Sequence, residues 1–119
     1  MKLWVDDIRP APEGWTQART VTSAIAFLYR FSNEVTDISI DHDISYAVEV
    51  AGTQRPFPSP ETFMSVAYYI VACFPMMCGI TIHSANPVGS ENMRKLFEDN
   101  NIPAKVAPQS RVNRLESEV

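Results

Sequence analysis

Cysteine is scarce in this chain, with only Cys73 and Cys78 among 119 residues. A C-x4-C pair builds no disulfide framework, zinc knuckle or redox CxxC motif. Both thiols lie in apolar runs, which favours buried, reduced side chains. An excess of positive charge is also missing: 10 lysines and arginines face 14 aspartates and glutamates, for a net charge of −4 and a pI near 5.0. That balance argues against a protein built to coat duplex nucleic acid, because phosphate neutralisation needs a basic face. A small phosphorylated ligand is not excluded, because it needs only one local anion site. No basic-then-apolar leader opens the chain, since Asp6-Asp7 follows directly on the first apolar run. The longest apolar stretch, residues 63–82, is broken by Pro75 and Gly79 and makes no membrane span. Internal repeats and low-complexity tracts are absent. These features lead to the expectation of a soluble, cytoplasmic protein with no membrane partner.

What is present is an ordinary globular mix, 45% hydrophobic and 20% charged. The length suits one domain, and a chain of this size buries roughly two-thirds of its unfolded surface. Residues 1–108 are expected to form that domain, and residues 109–119 a C-terminal helix or tail.

Lys2-Leu3-Trp4-Val5 reads as a buried strand that stops at Asp6-Asp7. Two prolines and a glycine make residues 8–14 a loop, and residues 15–20 suit a short strand. Ala24, Ile25, Phe27, Leu28 and Phe31 have helical spacing, with Thr20 or Thr22 as cap and an end near Asn33. Residues 36–40 form a second good strand running into Asp41-His42-Asp43. Residues 44–58, with Gly52, Pro56 and Pro58, read as a long loop, the kind that in compact domains is functional or mobile. Ser59-Pro60-Glu61 has the chemistry of a helix start, and that helix must end before Pro75. Residues 78–82 are a third strand ending at His83-Ser84-Ala85-Asn86-Pro87, Ser90-Glu91 is read as capping a further helix, and residues 102–107 suit a last strand. Strands alternating with helices imply right-handed crossovers and a parallel sheet covered on both faces.

In such folds ligands bind at the carboxyl ends of the strands. The three best strands deliver Asp6 and Asp7, then Asp41, His42 and Asp43, then His83, Ser84 and Asn86. Four of the six aspartates and both histidines therefore converge on one rim. Clustered carboxylates repel, and they need raised pKa values or a cation. Hard oxygen ligands suit Mg2+ or Mn2+, and such an ion neutralises phosphate oxygens and orients a nucleophile. Asp6, Asp7 and Asp41 are the candidate metal ligands. His42 and His83 are candidate general acid and base, with Asp43 orienting His42. Ser84, Asn86, the amides of residues 86–90 and Arg94 are candidates for phosphate. Arg9, Arg19 and Arg55 are weaker anion candidates, and Trp4 and Trp15 suit packing better than base stacking.

Val5-Asp6-Asp7 resembles the acidic pair that closes the first strand of response-regulator receiver domains. Asp37-Ile38-Ser39-Ile40-Asp41 resembles their third strand, with Asp41 at the phosphoacceptor position, and His83-Ser84-Ala85 resembles the end of their fourth. The receiver lysine before a proline has no direct counterpart: Ala107 precedes Pro108, and Lys105 lies two residues earlier. Residues 2–15, 39–43 and 82–89 more closely resemble the signature blocks of a divergent branch found in bacteria and phages, the cyclic-phosphate-processing receiver-like family. There, Ile44-Ser45-Tyr46 stands where a glycine-rich stretch is usual. The resemblance implies a receiver-like (flavodoxin-like) three-layer α/β sandwich with a five-stranded parallel sheet, the first crossover helix being reduced to a loop. It also implies processing of cyclic phosphates of nucleotides or RNA repair products. The leading expectation is a metal-assisted phosphoesterase acting on a small cyclic-phosphate or phosphorylated nucleotide-like ligand. The alternatives are a phosphoaccepting or non-catalytic receiver-like signalling module and a phage accessory protein acting through a protein partner.

Overall fold

The computed structural model describes residues 1–74 and 78–107, with side chains for all of these except 46–48 and 56–58. The expected C-terminal helix or tail, residues 109–119, lies outside them. The elements run β1 (Lys2–Val5), β2 (Thr16–Ala18), α1 (Val21–Arg30), β3 (Asp37–Ile40), β4 (Asp43–Val50), β5 (Thr53–Thr62), α2 (Met64–Cys73), β6 (Gly79–Ile82), α3 (Pro87–Asp99) and β7 (Ala104–Val106). Five strands form one parallel sheet in the order β2-β1-β3-β6-β7. The five-stranded parallel sheet with helices is the receiver-like, flavodoxin-type arrangement expected from the sequence, but among the described residues α1, α2 and α3 all join the core on one face, and no helix layer covers the other. No helix among the described residues is long and apolar enough to cross a membrane.

Strand alternation divides the sheet into two unlike faces. Leu3, Ile38 and Ile80 stand side by side, as do Val5, Ile40 and Ile82, and all six are buried in the hydrophobic core. Ala24 and Leu28 of α1, Val66, Ala67 and Ile70 of α2, and Met93 and Phe97 of α3 join the same core. The opposite face sets Gln17, Trp4, Ser39, Thr81 and Lys105 in one row across all five strands.

The first crossover contains no helix, as expected. Gln17 secures the loop that replaces it, donating to the Asp6 and Arg9 carbonyls (2.7 and 2.9 Å) and accepting from the Ala11 amide (2.8 Å). Trp4 donates from Nε1 to the Arg9 carbonyl at 3.1 Å, and the edge of Trp15 packs on its ring. Thr20 caps α1 through a reciprocal box with Ser23.

Three local expectations are corrected. Residues 44–58 are not a loop: β4 and β5 form an antiparallel hairpin turned at Ala51 and Gly52, whose φ values are 53° and 79°. The strand β5 runs through Ser59-Pro60-Glu61, so α2 starts at Met64 instead; Ser59 still accepts from the Glu61 amide at 3.1 Å, but within a strand. The helix α3 begins at Pro87, capped by Asn86 rather than Ser90, because Asn86 accepts from the Gly89 amide at 3.0 Å.

Candidate functional site

The face opposite the helices ends, at the carboxyl edge of the sheet, in Asp6, Asp41 and His83, each two residues beyond Trp4, Ser39 and Thr81. All three are buried. His83 is flat against the Trp4 indole, with centroids 3.9 Å apart and planes at 10°. Its Nδ1 meets the Ser39 hydroxyl at 2.7 Å and its Nε2 meets Asp6 Oδ2 at 2.9 Å. With 1% of its surface exposed and both ring nitrogens engaged, His83 faces away from any open cleft. His83 is not among the residues lining the cleft at Asp7 and Asp41; its bond from Nε2 sets it against Asp6.

Asp6 is saturated with donors. Oδ1 accepts from the Ile8 and Arg9 amides, both at 2.9 Å, while Oδ2 takes His83 and the Arg9 guanidinium, the latter at 3.3 Å. Burial raises its pKa, but the bond to His83 and the two amides outweigh that and hold it below the ordinary aspartate value. Asp41 shifts the other way: burial and the neighbouring Asp6 charge raise its pKa, against the opposing pull of the His42 amide, the Ser84 hydroxyl and Arg9. Asp7 accepts from the Ser45 amide at 2.7 Å, which ties the root of the hairpin to the first strand.

Asp6, Asp7 and Asp41 each offer an oxygen, and these oxygens lie within 4.8 Å of one another. An all-carboxylate set with that spacing, holding one carboxyl against its tendency to ionise, fits a hard divalent cation with water completing the shell. The cluster can hold a metal, as receiver domains do.

Beside it lies a cleft of about 380 Å3 lined by Asp7, Ile8, Arg9, Asp41, Asp43, Ser45, Ser84 and Ala85. His42 sits behind this lining. Its Nδ1 is 2.8 Å from Asp43 Oδ1, and its ring packs so tightly on Gly89 that a Cβ there would lie 2.5 Å from it. Asn86 donates to both Asp43 oxygens (3.1 and 3.3 Å) while capping α3. The α3 amides of Gly89 and Ser90 are thus already satisfied, by the Asn86 side chain and carbonyl. Asn86 is a brace for Asp43 rather than a lining residue.

Arg94 is not brought to the cleft. It pairs with Glu91 and Glu98 on the exposed side of α3, at 2.5 and 3.1 Å, because i,i+3 and i,i+4 partners lie within its reach. The cation that does reach the cluster is Arg9, 3.3 Å from Asp6 and 3.5 Å from Asp41. Its spacing three residues after Asp6 is the signal in the sequence that marks it, since the first turn beyond the strand folds it back. Lys105 makes no ion pair among the described residues.

An acidic cluster at the carboxyl ends of the central strands of a five-stranded parallel sheet defines the receiver class. More specifically, the model of the cyclic-phosphate processing receiver domain matches residues 1–99, and the chain belongs to that family. No curated protein and no solved structure matches it significantly.

Proposed function

We propose that the cleft binds a small cyclic phosphate of nucleotide-like character and opens its ring, with Asp6, Asp7 and Asp41 holding Mg2+ or Mn2+. The observation that carries this reading is a single cleft joining Asp7 and Asp41 to the hydroxyl-bearing Ser45 and Ser84 and to the Asp43 carboxylate. A volume of about 380 Å3 is at the small end for ligand pockets and suits a sugar phosphate or mononucleotide. When bound, the cation neutralises charge on the phosphate oxygens.

The chain's own groups do the rest. Ser45 and Ser84 donate to phosphate oxygens, while Ile8 and Ala85 add apolar lining to the cleft. Asp43, half exposed on the cleft and backed by His42, takes a proton from the attacking water. A new P–O bond forms to that water, one ring P–O ester bond breaks, and the proton passes to the departing ring oxygen. Water is added and nothing is released.

Incubation with 2′,3′- and 3′,5′-cyclic nucleotides and either cation, followed by 31P NMR, tests this. The expected result is cation-dependent ring opening that falls at least about a hundredfold in Asp43→Asn. No turnover of any cyclic phosphate with either ion removes the reading. A second reading, phosphoryl acceptance on Asp41, is favoured by that carboxylate lining the cleft beside Ser84. A one-phosphoryl mass adduct after incubation with acetyl phosphate would put it first.

A further inference from the structure

Arg9 reaches into two of the three carboxylates of the acidic cluster. Its Nη1 bridges Asp6 Oδ2 and Asp41 Oδ2 at 3.3 and 3.5 Å. Oδ1 of Asp6 is committed to two backbone amides and Oδ2 to His83 at 2.9 Å, so the Arg9 guanidinium, at 3.3 Å, is the partner of Oδ2 that an incoming ion replaces. An ion held there and a guanidinium held there exclude each other.

The Arg9 backbone is fixed on three sides. Its amide donates to Asp6, and its carbonyl accepts from Trp4 Nε1 and Gln17 Nε2. Only the side-chain torsions remain free, and that side chain is 22% exposed and lines the cleft. Displaced from the carboxylates, the guanidinium can turn into the cleft that Arg9 already lines. Before displacement the cleft carries an excess of negative charge that repels a phosphate. Afterwards it presents a planar fork that suits phosphate oxygens.

We propose that Arg9 is a counter-ion that the metal evicts, and that the evicted guanidinium becomes the phosphate clamp, so that cation binding precedes and strengthens phosphate binding. This rests on the reading of the cleft as a cation-assisted phosphate site and adds the order of loading and the residue that enforces it. The coupling is reciprocal, since each ligand favours the arrangement the other needs.

Titration calorimetry with Mn2+, with and without inorganic phosphate, on wild type, Arg9→Gln and Arg9→Lys provides the test. Removing the competitor is expected to tighten Mn2+ binding about tenfold in Arg9→Gln, while its Mn2+-loaded form binds phosphate about tenfold more weakly than loaded wild type. Arg9→Lys, a point charge without the fork, is expected to fall between. In unmutated protein labelled at arginine, the Arg9 Nε–H resonance should shift on adding Mg2+ and again on adding phosphate, a readout independent of any variant's folding. Equal or weaker Mn2+ binding in Arg9→Gln, or unchanged phosphate affinity once loaded, overturns the eviction while ring opening by wild type leaves the proposed activity standing. Absence of Mn2+ binding in all three chains overturns both.

Discussion

The two faces of the parallel sheet are built from alternate residues of the same strands, yet they do opposite work. On one face Leu3, Val5, Ile38, Ile40, Ile80 and Ile82 share a core with α1, α2 and α3. On the other, one residue out of step, Trp4, Ser39 and Thr81 lead into Asp6, Asp41 and His83. The first face obtains stability from apolar area removed from water. The second buries charge, which is expensive unless every oxygen has a partner. Asp6 meets that demand with four donors, whereas Asp41, though bonded to the His42 amide, also faces the Asp6 charge, so the more strained carboxylate is the one that opens on the cleft. Stability and chemistry are separated here by a half-turn of the backbone rather than by distance.

The largest expected effect comes from breaking this comparison at neighbouring residues. Ile40→Ala removes a fully buried side chain and should cost about 3 kcal/mol in urea unfolding, with Mn2+ affinity kept by the molecules that remain folded. Asp41→Asn, one residue on, should abolish Mn2+ binding yet leave the thermal midpoint unchanged or higher. The sign follows from the raised pKa of Asp41: above its folded value the ionised form is the one the fold disfavours, and asparagine relieves it. A midpoint that falls as far in Asp41→Asn as in Ile40→Ala would dissolve the distinction between the faces.

A smaller effect is expected at Gly89. Alanine there is ordinarily favourable in a helix, but its Cβ would lie 2.5 Å from the His42 ring. Gly89→Ala should therefore cost about 2 kcal/mol and displace His42 from Asp43, which shows as altered His42 ring resonances. Stabilisation by this change would mean that the ring yields freely and that the rim is as plastic as a surface.

The smallest effect lies at the start of β6. Burial and the Asp37 charge push the Cys78 thiol up to about 11. The neutral thiol is favoured by the fold, so its contribution is complete below the unfolded pKa, near 9, and is lost as pH rises from there toward 11. The wild type should lose slightly more stability between pH 8 and 10.5 than Cys78→Ala, measured by urea unfolding under reducing conditions. Parallel curves would remove the thiol from the account.

The rim was legible in the sequence because each good strand ends abruptly in chemistry-bearing residues, and the parallel register brings those ends together. The helix α1 was legible from its apolar spacing and from Thr20. The hairpin was hidden by its own composition: Pro56, Pro58 and Pro60 argue against a strand. Successive residues of a strand direct their N–H groups to opposite edges, so Pro56 and Pro58 lack donors on one edge only, which the outer edge of a two-stranded hairpin tolerates, and Pro60 falls where the register shifts between Ser45 and Asp43. The depth of His83 was also hidden, since a histidine at a strand end suits a core position as well as a site. Its neighbours Trp4 and Ser39 are distant in sequence and become adjacent only through the sheet. Arg94 is held on the exposed side of α3 by Glu91 and Glu98, one turn away on either side, whereas Arg9, in the loop after β1, folds back on Asp6 and Asp41; neither outcome shows in the distance of an arginine from the strand-end motifs.

The indole of Trp4 lies face to face with His83 and donates its Nε1 to the carbonyl of Arg9. It therefore touches both the histidine bonded to Asp6 and the residue that spans the carboxylates, without itself lining the cleft. With Trp15 the only other indole, and edge-on to it at 5.8 Å, Trp4 gives the protein a built-in optical reporter. Its emission can follow the loading of the acidic rim in real time, with no label attached.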